Sequence, residues 1–151
     1  MYKGILLKQD EVLTHWIIIE PYIERFLDRG NGESTTFDIG QKAINGLYQV
    51  WVIQDNTDNI VGVSVTKVDT YPQHKALHII GLSGELWDEW KHLHNTCFEP
   101  FAKVQGCSEI SIWGRKAWTK KLKELTGTNG ETYKERHVIM TMKLKQENQH
   151  D

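Results

Sequence analysis

Cysteine is scarce in this chain. Cys97 and Cys107 are the only two, too few for a disulfide framework, and the expectation is reduced thiols in a cytoplasm. An excess of one charge is lacking as well. Eighteen Lys and Arg stand against twenty Asp and Glu, a formal net charge of −2. No global basic field points to nucleic acid, and none is expected as a partner. No apolar run approaches the roughly 20 residues of a membrane span. The opening MYKGILLKQD has no long apolar core of a signal peptide, so no membrane is expected. Proline occurs three times, and there is neither an internal repeat nor a low-complexity linker. One domain over residues 1–145 with a polar tail at 146–151 is the expected organisation.

Aromatic residues are plentiful, with six Trp and four Phe, enough to build a substantial core. Residues 3 to 9 form a short apolar patch, an edge strand or the lead-in to a helix. From Glu11 to Arg29 the residues Val12, Trp16, Ile19, Ile23, Phe26 and Leu27 recur at helical spacing, and Pro21 is expected to bend or split that helix. A second helix follows Glu33–Thr36, capped by Ser34, Thr35 or Thr36, with Phe37, Ile39 or Gly40, Ala43 and Ile44 inward. The run LYQVWVIQDNTDNIVGVSVTKVDTYP reads as a hairpin turning at Asp55–Asn59.

A third strand, Lys75–Ile80, runs into Gly81-Leu-Ser-Gly84, read as a turn or a phosphate cradle at the start of a helix. That helix, 85 to 105, puts Leu86, Trp90, Leu93, Cys97 and Phe101 on one face, with a kink at Pro100 and a C-cap at Gly106. A strand at 108–113, a basic helix at 115–125 and two last strands near 132–135 and 137–144 complete the order. Strand 75–80 and strand 108–113 should be parallel, joined by a right-handed crossover. The expected fold class is α/β (α+β): a mixed, mostly antiparallel sheet with a β-α-β crossover and helices on both faces.

This order resembles the GNAT superfamily of acyl-CoA-dependent N-acyltransferases over residues 3 to 144. The family signature is Arg or Gln, two residues, Gly, one residue, Gly or Ala, and a Leu three residues later. The aligned run is His78-Ile-Ile-Gly81-Leu-Ser83, then Leu86; Gly81 and Leu86 match, Ser83 is a small substitute and His78 departs. GCSEISIWGRKAWTKKLKELTG is similar to a branch common in phage genomes, with a Gly-Arg pair after the fifth strand and a short Trp-bearing helix. The resemblance implies acetyl-CoA as donor and an unknown small-molecule or protein amine as acceptor. It also implies a cytoplasmic protein, in a host cytoplasm or virion if phage-borne.

By this resemblance the cofactor-binding candidates are Ile79, Ile80, Gly81, Leu82, Ser83, Gly84 and Arg115. The catalytic candidates are His78, whose ordinary pKa suits a base, and Glu109 on the fifth strand. The family's general-acid Tyr is missing from the helix after that strand, and Tyr133 lies in another element. Three readings stay open: an enzyme, a catalytically inactive virion-associated or binding module, and a host-factor-binding protein using the Asp55–Asp69 side. A protein partner or a homodimer is open too. No metal site is expected, because His92 and His94 lie about 200° apart on a helix and cannot share an ion.

Overall fold

The computed structural model describes residues 2–28, 34–84, 87–112, 116–136 and 140–145, without the side chains of 116–119. Five strands make one sheet in chain order: β1 (Lys3–Leu6), β2 (Tyr48–Gln54), β3 (Ile60–Thr70), β4 (Lys75–Gly84) and β5 (Glu109–Ile112). Neighbours among the first four are antiparallel and β4 pairs with β5 in parallel, as the crossover rule requires.

Period-two alternation on the central strands builds two cores. Val50, Val52, Val63 and Val65 face helices α1 (Gln9–Thr14), α2 (Trp16–Leu27) and α3 (Thr36–Ile44), meeting Val12, Ile19, Ile23, Ile39 and Ala43. Trp51, Ile53, Leu77 and Ile79 face the crossover, α4 (Trp87–Leu93) and α5 (Glu99–Val104), meeting Trp90, Leu93, Phe98 and Ala102. Helix α6 (Lys116–Lys123) follows β5, and Leu122 and Leu125 are buried behind it.

Several local expectations hold. Thr35 caps α3 in a reciprocal box with Asp38: Thr35 Oγ1 accepts from Asp38 N at 3.2 Å, and Thr35 N donates to Asp38 Oδ2 at 2.9 Å. The hairpin turns at Asp55, whose Oδ1 accepts from the amides of Thr57 (2.9 Å) and Asn59 (3.0 Å).

Others are corrected. The first helix breaks at His15 rather than at Pro21. Pro21 and Ile17, whose carbonyl it cannot bond, both lie on the exposed side of α2, where solvent can serve that carbonyl. Phe37 and Ile44 are exposed, not inward; Phe37 lies about 200° from Ile39 around the helix. The 85–105 helix is not continuous. A π turn at His94–Phe98 separates α4 from α5, whose first turn holds Pro100; the wider turn gives room for the proline ring. Gly81–Gly84 is not a turn at all but the last four residues of β4. The last two strands are not seen among the described residues: 132–135 shows only an isolated Thr126–Thr132 bridge, 140–145 is not strand, and 137–139 lies outside the described residues.

Candidate active site

Strand β4 carries one irregularity that organises its upper end. Val65 pairs with Gly81 and Thr66 with Ile79, so Ile80 has no partner on β3. Such a bulge places two neighbouring residues on one face. Ile80 packs at the edge of the α1–α3 core, and Gly81 faces Phe26 of α2 on the same side. Ser64 Oγ fixes the bulge by donating to the Gly81 carbonyl at 2.9 Å.

The pairing of β4 stops at different points on its two edges. Towards β3 it runs to Gly62–Gly84, and towards β5 it ends at Ile79–Ile112. Among the described residues, the β5-side edge of β4 from Ile80 to Gly84 therefore has no strand partner. Ile112 is the last described residue of β5.

The glycines have packing reasons for being there. A Cβ on Gly81 would lie 2.3 Å from Phe26 Cδ1 and 2.6 Å from Cγ. Gly84 has φ +139°, and Gly62 opposite it lies under the Trp90 indole, whose Cζ2 would sit 3.3 Å from an added Cβ. Neither contact requires a phosphate.

His78 lies two residues before Ile80 on that same face, about 7 Å along the strand. The parallel register sets it opposite Ser111 of β5, and its Nδ1 is 3.0 Å from Ser111 Oγ. On its other side the register brings Lys67, whose Nζ is 3.3 Å from Asp69 Oδ1. His78 is buried at 6% exposure. Burial first and the Lys67 charge second push its pKa down to about 4, with Asp69 opposing. The ring is neutral at pH 7.

Glu109 sits two rungs below, paired with Ala76 at the opposite end of β5. Its carboxylate is taken by His74 Nε2 at 2.7 Å and Arg136 Nη1 at 2.6 Å. That arrangement binds the lower corner of the sheet to the C-terminal segment, away from His78. Of the cofactor candidates, Ile79–Gly84 all lie on β4, while Arg115 lies outside the described residues.

Two buried side-chain donors near Gly84, Ser83 Oγ and Trp90 Nε1, have no hydrogen-bond partner among the described residues. Helix α4 opens with Asp88 and Glu89, which already answer its dipole.

One polar cluster escaped the sequence reading. His94, at 5% exposure, joins Tyr133 Oη at 2.5 Å through Nε2 and Asn95 Oδ1 at 3.2 Å through Nδ1. Glu99 Oε1 is 3.7 Å from Nδ1. The Glu99 carboxylate also accepts from Thr128 Oγ1 at 2.6 Å. Burial lowers the His94 pKa and raises that of Tyr133. The cluster joins the crossover to the 126–133 segment. Its only sequence signal was a histidine beside a core phenylalanine position, because its partners lie about 30 residues downstream.

In sequence, no protein-family model matches the chain, and neither does any curated protein. Solved structures do match in shape. A probable acetyltransferase superposes with a TM-score of 0.69 at 9% identity, over 96% of this chain and 99% of the other. An aminoglycoside acetyltransferase from an uncultured soil metagenomic sample, in complex with sisomicin, gives 0.66 at 17% identity, over 95% and 97%. A predicted acetyltransferase with acetyl-CoA, from Clostridium acetobutylicum, gives 0.61 at 12% identity, over 93% and 96%. Likeness at these identities carries the fold.

Proposed function

Starting from a GNAT fold, we propose that this chain transfers an acetyl group from acetyl-CoA to the amine of a small molecule. The observation that carries this reading is the Ile80 bulge of β4, followed by an edge, Ile80–Gly84, that has no strand partner on the β5 side among the described residues. An unpaired strand edge offers main-chain donors and acceptors in a row, which suits an extended amide-bearing arm. On the Val63 face of the same end, Ser83 Oγ is a buried donor with no hydrogen-bond partner among the described residues. Ile79, Ile80, Gly81, Leu82, Ser83 and Gly84 are the residues that would hold the donor. When bound, acetyl-CoA supplies the activated acyl group.

His78 is the base in this reading. An amine attacks only as the free base, and it becomes far more acidic as its new bond forms. A neutral imidazole two residues from the bulge can then take that proton at its ring nitrogen. The low pKa keeps the ring unprotonated throughout the neutral range. The complex of an aminoglycoside acetyltransferase with sisomicin supports starting with small polyamines as acceptors.

The test has two stages. A donor bound only by the folded chain, at a hundred times its Kd, adds about 2.7 kcal/mol. That should raise Tm by roughly 5–10 °C with CoA or acetyl-CoA but not with ATP. Thiol release is then measured against an aminoglycoside and a panel of amines. His78→Gln should lower kcat by about 10²–10⁴ while leaving donor binding in place. A well-folded protein with no CoA-specific shift would end the proposal.

A further inference from the structure

Beyond that reading, and independent of it, the outer side of the α1–α3 layer carries an apolar stripe. Three contacts set its frame. A side chain at Gly46 would run into the Gln9 amide, a Cβ at Gly40 would lie 2.9 Å from Trp16 Cη2, and Thr36 Oγ1 donates to Glu20 Oε2 at 3.4 Å. Helices α1 and α2 therefore run antiparallel beside α3. Gln9, Trp16 and Glu20 mark the side turned to α3, and Gly40 marks the side turned back. Outward from those marks by about 40–60° around each helix lie Leu13 on α1, Ile17 on α2, and Phe37 and Ile44 on α3. Leu47 follows three residues past Ile44. Their exposures are 64% for Leu13, 89% for Ile17, 69% for Phe37, 39% for Ile44 and 62% for Leu47.

We propose that this stripe is the face on which two copies of the chain meet about a two-fold axis. Area supports it. A Leu, Ile or Phe side chain presents roughly 150 Å² when fully exposed, so the five together offer about 500 Å² of apolar surface. A stable interface covers about 800 Å² on each partner, and about 65% of that is apolar in homodimers, again about 500 Å². Charge supports it too. The Glu20 carboxylate in the seam is held within the chain by Trp16 Nε1 at 3.2 Å and by Thr36 Oγ1. Lys42 of α3 turns the other way, its Nζ 5.1 Å from the centre of the Tyr48 ring. Towards solvent the stripe is edged by Thr14, Pro21, Gln41 and Asn45, a neutral rim that stays wet. Asp10 and Glu24 stand at its two ends. Such a surface offers no cation to a phosphate, and it can face its own copy with no like charges opposed along its middle.

The experiment is sedimentation velocity of the full chain from about 1 to 100 μM, beside Ile17→Glu, Phe37→Glu and Val104→Glu. Val104 is the control, 83% exposed at the end of α5 on the opposite layer. A reversible dimer is expected for the unsubstituted chain and for Val104→Glu. Its Kd should rise about a hundredfold or more in Ile17→Glu and in Phe37→Glu, because symmetry enters each charge twice. Circular dichroism should stay unchanged in both, since each position is exposed in the single chain. A chain that is monomeric throughout overturns the proposal. If Ile17→Glu then lowers Tm and speeds amide exchange in 140–145, the stripe serves the chain's own Met140, Met142 and Leu144 instead. A dimer untouched by both stripe substitutions overturns it too, as does one that Val104→Glu weakens equally. No donor or acceptor enters these measurements, so their failure and the failure of acetyl transfer are distinct.

Discussion

Substituting Gly81 by alanine separates packing from ligand binding at the bulge. Gly81 has no positive φ among the glycines that do, so its backbone accepts alanine without strain, and in an open strand the change would gain about 0.5–1 kcal/mol. The obstacle is Phe26. The added methyl would meet Cδ1 at 2.3 Å, Cγ at 2.6 Å and Cε1 at 2.7 Å. Because Cγ is the root of the ring, flipping the ring about χ2 cannot clear the overlap; Phe26 must change its χ1 rotamer or α2 must move off β4. Overpacking of this kind costs about 1–3 kcal/mol. Urea unfolding should show a lower midpoint at an unchanged m-value, with Tm falling by about 2–4 °C per kcal/mol. In a Phe26→Ala background the same Gly81→Ala change should become neutral or stabilising, a coupling of about 1–3 kcal/mol between the two sites. Additive effects of the two substitutions would refute the packing account. A loss of CoA binding in Gly81→Ala alone would not identify a phosphate contact, since Phe26 or α2 is displaced as well.

The His78 ring titrates at about 4 when folded against an ordinary 6.5, so the unfolded chain binds more protons below pH 6.5. Stability from this group is fully present above 6.5 and drains away as pH falls towards 4, by about 3 kcal/mol in all; the wild-type urea midpoint should fall more steeply than that of His78→Gln over this window. His94, lowered by burial, adds in the same direction. Tyr133→Phe leaves His94 Nε2 without its 2.5 Å partner and should cost about 1–3 kcal/mol, read as faster amide exchange in 126–133; unchanged exchange there would deny the cluster its anchoring role.

What the sequence disclosed was local, and what it hid was long-range. The Thr35–Asp38 box and the Asp55 turn each lie within five residues, and side-chain chemistry alone announces them. The stripes Val12–Ile19–Ile23 and Leu93–Phe101 were likewise visible as periodicity. Gly81 and Gly84 misled because a glycine pair is a turn signal, yet nine residue pairs with β3 outweigh it. The π turn was hidden because one extra residue per turn leaves no compositional trace. His78 could be suspected from its type, but its link to Ser111 spans 33 positions and exists only once the register is known. Glu109 fails to join it for the same reason: His74 and Arg136 reach it from far along the chain.

The two glycines of β4 also bear on how thick the molecule is. At Gly81 a phenylalanine ring from one layer rests on bare backbone, and at the Gly62–Gly84 pair a tryptophan from the other layer does the same. Within four residues, both helical layers come down to the peptide plane from opposite sides. The sheet has its waist there. Anything wedged between β4 and β5 would press on a strand flanked by two aromatic rings, which makes Phe26 and Trp90 natural reporters of entry: their ring signals should respond together to an occupant that touches neither.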